Sequence, residues 1–102
     1  MKRNCVYIMS NRGRSVFYVG VTSDLVKRRL EHQQESPEDG FCGKYNVKDV
    51  IYVERFDDIV DAIAREKQIK KFRREKKLAL ILSQNPDSAS LPPPFFELTA
   101  NR

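Results

Sequence analysis

The sequence predicts a mixed α/β (α+β) domain, a small three-stranded, mainly antiparallel sheet flanked by helices. Three observations predict it. Residues 4–9 and 16–20 are short alternating segments rich in β-branched and aromatic residues, and turn-forming residues separate them, so they read as a hairpin. A third such segment covers residues 47–56. Stretches with helical periodicity and polar starts lie between and after the strands.

The elements follow in order. Ser10 to Ser15 (Ser-Asn-Arg-Gly-Arg-Ser) is turn chemistry joining the first two strands. With the turn centred between Arg12 and Gly13, Tyr7 lies directly opposite Tyr18 on one sheet face. That pair is either part of a site or an ordinary cross-strand aromatic contact. Thr22-Ser23-Asp24 offers helix N-caps, and a helix is expected from Leu25 to Gln34. Ser36-Pro37-Glu38-Asp39-Gly40 breaks it, and residues 41–46 are expected as a loop. The third strand follows. Asp57-Asp58 caps a helix expected from Ile59 to Phe72, and a last helix is expected from Arg74 to Ser83, with Leu78, Ile81 and Leu82 on one stripe. Asn85-Pro86 stops it. Leu91-Pro92-Pro93-Pro94 cannot continue a helix and is expected to be extended or partly disordered. This gives one domain over residues 1–87 and a proline-containing tail over 88–102.

A chain of 102 residues suits one domain with one core. No apolar run is long enough to span a membrane, and the start does not resemble a signal peptide. Cys5 and Cys42 form no CxxC pair, which argues against a disulfide framework or a cysteine-rich zinc site. A reducing cytoplasm is the simplest compartment. Nineteen Lys and Arg against fourteen Asp and Glu give a net charge of +5. Arg65 to Lys77 holds eight basic residues and only Glu66 and Glu75 against them, so the excess sits in one segment. Such a stripe is either a phosphate-backbone footprint or a solvated helical face.

Chemistry-bearing residues recur at suggestive spacings. Arg28 and His32 are four apart and share one helix face. Gly20 lets the backbone approach another group closely, and the helix start that follows favours anions. Glu66 falls among Ile59, Ala62, Ile63 and Ile69, on the stripe that should face the sheet. A carboxylate there needs a cation, a metal or donors. It is either paired with an arginine such as Arg28 or a ligand for a hard divalent ion.

Taken together these residues resemble the GIY-YIG nuclease domain of the small standalone bacterial type. Cys5-Val6-Tyr7 and Tyr18-Val19-Gly20 stand for the two tripeptides. Val21 to Leu25, Arg28-Arg29-Leu30 and His32 match the helix motif, Ala62 to Lys77 the glutamate helix and its basic extension, and Asn85-Pro86 the terminal Asn motif. The resemblance covers roughly residues 3–87. Cys5 replaces the first glycine, and the tryptophan that many small relatives carry near the end is missing.

The resemblance implies a small three-stranded sheet with helices around it and an endonuclease that hydrolyses phosphodiester bonds in DNA, in repair or processing. It makes Tyr7 the general base, or the group that takes a proton through the attacking water. Tyr18 positions water or phosphate, Arg28 binds the scissile phosphate, and His32 contacts nucleophile or phosphate. Glu66 becomes the single protein ligand of one Mg2+ or Mn2+. Lys44, Lys70, Lys71, Arg73, Arg74 and Asn85 are expected to contact nucleic acid. A tyrosine titrates near pH ~10, so Arg28 and the metal are expected to favour its phenolate, with activity rising on the alkaline side. No separate recognition domain is read here, so low sequence specificity, a preference for DNA shape or a protein partner is expected. DNA is the expected partner, with RNA as the other nucleic acid, and the chain is expected as a monomer or weak dimer. The alternative is a non-catalytic nucleic-acid-binding module on the same fold.

Overall fold

The computed structural model describes residues 3–92. Strand β1 (Asn4–Ser10) runs through the centre of a three-stranded sheet, between β2 (Phe17–Thr22) and β3 (Asp49–Phe56), and both pairings are antiparallel. Helices α1 (Leu25–Gln33) and the short α2 (Phe41–Lys44) lie between β2 and β3 in the chain, and α3 (Ile59–Lys70) and α4 (Arg74–Gln84) follow β3. The expected architecture is the observed one. A single turn of helix, α2, replaces the expected loop at 41–46.

Strand β1 is apolar on both sides because both faces of the sheet are covered. Val6 and Ile8 join Val19, Ile51 and Tyr52 under Ala62 and Ile69 of α3 and Ile81 of α4. Cys5, Tyr7 and Met9 point the other way, into Leu25 of α1, Cys42 of α2, Val47, Val50 and Val53. Strict alternation fails in β3. Ile8 pairs with Tyr52 but Met9 with Val50, so Ile51 is an extra residue in a bulge. Val50 and Val53 therefore share one face, and Ile51 and Tyr52 the other.

Two helices start on side-chain caps. Asp24 accepts from the Lys27 amide and Asp58 from the Val60 amide, satisfying first-turn donors. Within α3, Ala62 and Ile69 are buried, whereas Ile59 and Ile63 are more than a third exposed, so the fully inward stripe is narrower than the sequence implies. In α4 only Ile81 of the expected stripe is buried, and Leu78 and Leu82 face outward.

The hairpin register corrects the sequence expectation. Tyr7 pairs with Gly20, and Tyr18 with Met9. The cause is a wider loop. The Asn11 carboxamide oxygen accepts from the Ser15 and Val16 amides, and the Arg14 amide closes on the Asn11 carbonyl with Arg14 at positive φ. The shift is two residues, an even number, so Tyr7 and Tyr18 keep a common face.

The segment after α4 does not leave the body at Asp87. Asn85 is buried. Its amide nitrogen donates to the Ile51 and Ala89 carbonyls, and its oxygen accepts from the Ala89 amide. The Arg14 guanidinium donates to Asp49 and to the Ser88 carbonyl. The Leu91 amide donates to the Val50 carbonyl, and its side chain packs on the Tyr7 side of the core. The remaining tail, residues 93–102, lies outside the described residues.

Candidate active site

Tyr7 projects from the middle of β1 onto the face covered by α1. Its ring lies over Gly20 of the neighbouring strand, where a Cβ would collide with the ring and its oxygen. The phenol oxygen is 3.1 Å from His32 Nε2. On the other side of the imidazole, His32 Nδ1 is 2.6 Å from Glu35 Oε1. Asp24 starts α1 so that its last turn carries His32 over the sheet, and Glu35 follows one turn later. A carboxylate only accepts, so Nδ1 carries a proton toward Glu35, and in that tautomer Nε2 is the atom that accepts from Tyr7. The three side chains form a Glu35–His32–Tyr7 chain of hydrogen bonds.

Tyr18 completes a cluster of rings. Its centroid is 6.3 Å from Tyr7 and 5.3 Å from His32, the latter edge-on. The rings continue outward to Phe41 at 6.2 Å and from there to Tyr45 at 5.0 Å. Arg28, one turn before His32, stands exposed at the rim with Glu31 at 3.3 Å. Its charge lies close enough to Tyr7 that the two perturb each other.

The electrostatics differ from the expectation. Burial pushes the Tyr7 phenol well above its ordinary range, and the neighbouring Tyr18 adds to this; Arg28 opposes both and does not win. The resting site therefore holds Tyr7 protonated. Cys42, also in the cluster, is pushed up to about 11 by burial and by Glu35.

The GIY-YIG catalytic domain model matches residues 3–79. The chain belongs to the GIY-YIG family. It is 34% identical over 95 residues to a UPF0213 protein of Syntrophus aciditrophicus, covering 85% of this chain and 98% of that one. A UPF0213 protein of Staphylococcus saprophyticus is 34% identical over 85 residues, covering 79% and 96%. No solved structure gave a significant match. Membership implies nuclease-type function, that of an endonuclease.

The GIY-YIG residues fall into two groups. Tyr7, Tyr18, Arg28 and His32 come together on the α1 side of the sheet. Glu66 sits in α3, whose buried residues pack on the opposite face. Its side chain is 12% exposed and its carboxylate meets Lys70 at 2.6 Å. Of the two alternatives for Glu66, the pair with Arg28 is not formed, because Arg28 meets Glu31. A mostly buried carboxylate whose one charged neighbour is the exposed Lys70 amine suits a hydrated Mg2+ or Mn2+, ions that take one or two carboxylates and keep several waters. The donor set therefore fits the implied metal.

The expected nucleic-acid contacts also divide. Lys71 and Arg73 are exposed at the α3–α4 junction, and Lys44 is exposed with its amine 5.4 Å from the Tyr45 ring. Lys70 is engaged with Glu66. Arg74 donates to the Arg14 and Ser15 carbonyls and lies 4.6 Å over the Phe17 ring, so it fastens the hairpin loop. Asn85 is committed to the Ile51 and Ala89 backbone. Glu35 and Cys42 were missed by the sequence reading. Glu35 could have been found, since it stands three residues after His32. Cys42 carries no local signal.

Proposed function

We propose that this GIY-YIG protein is a Mg2+- or Mn2+-dependent endonuclease that hydrolyses phosphodiester bonds in DNA carrying unpaired bases, in DNA repair or processing. The observation that carries it is the hydrogen-bonded chain Glu35–His32–Tyr7 beside Tyr18 and Arg28. Water attacks phosphorus and gives its proton to the Tyr7 oxygen as the Tyr7 proton moves to His32 Nε2. No free phenolate forms, which suits a phenol whose ionisation is disfavoured. Glu35 holds the imidazole in the accepting tautomer and stabilises the imidazolium, the same division of labour as in hydrolytic triads. Arg28 supplies a permanently charged, planar donor to the phosphate as charge builds there. Glu66 would hold the divalent ion, and the chemistry that ion would supply when bound is Lewis acidity.

Substrate shape is supported by Phe41 and Tyr45, which are 46% and 43% exposed and continue the ring series from Tyr18. Exposed aromatics beside a basic group stack unpaired bases. Lys44, Lys71 and Arg73 would meet backbone phosphates, and a protein partner could add sequence choice. Two free thiols suit a reducing cytoplasm.

The second reading is a binding module without catalysis, favoured by the 0% exposure of Tyr7. Cleavage of supercoiled, branched and single-stranded DNA with Mg2+, Mn2+ or chelator separates the two, run beside Tyr7→Phe and Glu66→Ala. Metal-dependent cutting lost in both variants, with binding retained, supports the nuclease. Salt-sensitive binding without cutting on every substrate supports the module.

A further inference from the structure

The Cys42 carbonyl accepts from the Val47 amide, while its side chain is only 3% exposed and packs in the core with Tyr7 and Tyr18. It stands with His32 and Glu35, and one ligand atom from each lies within 4.8 Å of the others. Among the described residues this is the only such group of three, and Glu66 is not part of it. We propose that His32, Glu35 and Cys42 bind one Zn2+, and that the bound ion closes the proton path from Tyr7.

Donor chemistry selects the ion. Thiolate, imidazole and carboxylate together are a borderline set that zinc takes tetrahedrally, with a water in the fourth place. Mg2+ and Mn2+ prefer oxygen alone, so the ions expected at Glu66 do not compete here. Zinc distances near 2.0–2.3 Å place ligand atoms roughly 3.5 Å apart. The cluster reaches that spacing by side-chain movement of about an ångström.

The backbone already holds the three together. Lys48 donates to the carbonyls of His32 and Glu35 at 2.6 and 2.9 Å, so its amine fastens the segment carrying both ligands. Gly43 lies against the Ser36 carbonyl so closely that no Cβ fits between them. That contact presses α2 onto the end of α1 and brings Cys42 beside Glu35. Lys48 and Arg28 both put positive charge near the thiol. The two anionic ligands, carboxylate and thiolate, offset it.

Binding rearranges two protons. The ion takes the place of the proton between His32 Nδ1 and Glu35, and the imidazole keeps its one proton on Nε2. The thiol proton of Cys42 leaves to solvent. His32 then donates to the Tyr7 oxygen and can no longer accept from it. Catalysis through Tyr7 stops while the fold and the DNA surface remain. This second half rests on the nuclease reading, but the site itself does not.

The test is a titration of the purified full chain with Zn2+ and with Co2+ as a spectroscopic stand-in. One ion per chain is expected, with a thiolate-to-cobalt charge-transfer band that Zn2+ displaces. Cys42→Ser should lose the band and bind Zn2+ at least tenfold more weakly, and Glu35→Gln should weaken it as well. Mg2+-supported cleavage should fall as Zn2+ fills the site and should resist Zn2+ in Cys42→Ser. A cobalt spectrum without the thiolate band, or unchanged Zn2+ affinity in Cys42→Ser, overturns the site. Binding through Cys42 with undiminished cleavage overturns the closure. Binding through Cys42 in a chain that cuts nothing sinks the nuclease reading and the closure with it, and leaves the site standing.

Discussion

Tyr7 and Gly20 are cross-strand partners, and the tyrosine ring occupies the space a side chain at Gly20 would fill. The second tripeptide of the GIY-YIG motif is thus completed by a glycine because the first supplies a ring. The contact aims the Tyr7 hydroxyl at His32 and not into the strand.

Gly20→Ala should therefore act on the site and the fold together. The ring has the sheet below it and α1 above it, so an added methyl displaces Tyr7 from His32. Overpacking of this kind costs about 1–3 kcal/mol. Denaturant unfolding should show that loss, and metal-dependent cleavage should fall at least as far as in Tyr7→Phe. Wild-type cleavage in Gly20→Ala would mean that the ring position is not what catalysis needs.

Glu35→Gln tests the proton chain with little change in volume. The amide can donate to His32 Nδ1 and so favour the wrong tautomer. General-base contributions run about 10²–10⁴-fold, and single-turnover cleavage should fall by at least about 10²-fold with DNA affinity kept. A rate within threefold or so of wild type would remove Glu35 from the mechanism.

Phe41→Ala and Tyr45→Ala should weaken binding to single-stranded DNA by about 1–3 kcal/mol per lost stacking contact. Duplex binding should change little, since stacked bases there offer no free face. A fluorescence anisotropy comparison of the two DNAs is enough. Equal losses on both would argue that the rings serve the fold of α2 and not base recognition.

Alkaline pH should destabilise the fold through a buried thiol and a buried phenol. Burial raises the Cys5 thiol from its ordinary 9.0 to about 11, with Arg55 opposing weakly. Burial and the hydrogen bond to Glu54 push Tyr52 up as well. A raised folded pKa means that the unfolded chain loses its proton first. The stability is fully present below about pH 9 and is lost as pH rises through 11, approaching roughly 3 kcal/mol for Cys5 alone. Urea midpoints should fall over that window, and Cys5→Ala should flatten part of the decline. A midpoint constant between about pH 8 and pH 11 would contradict the burial argument.

The sequence by itself determined the three strands and the three longer helices, and it put several chemistry-bearing side chains on shared faces. Alternation marked the strands, Asp24 and Asp58 marked helix starts, and four-residue spacing put Arg28 and His32 on one helix face. The parity of the pleat kept Tyr7 and Tyr18 together although the register was misjudged. These signals are local, carried by periodicity and by side chains capping their own backbone. Tertiary structure decided the rest. The Asn11 loop set the hairpin register, and the Ile51 bulge sorted β3 between two cores. The contact between Gly43 and Ser36 brought Cys42 to His32 and Glu35. Lys70 took Glu66, and backbone carbonyls took Asn85. Each of these depends on which of several competing partners lies nearest once the chain closes, and a linear pattern does not contain that distance.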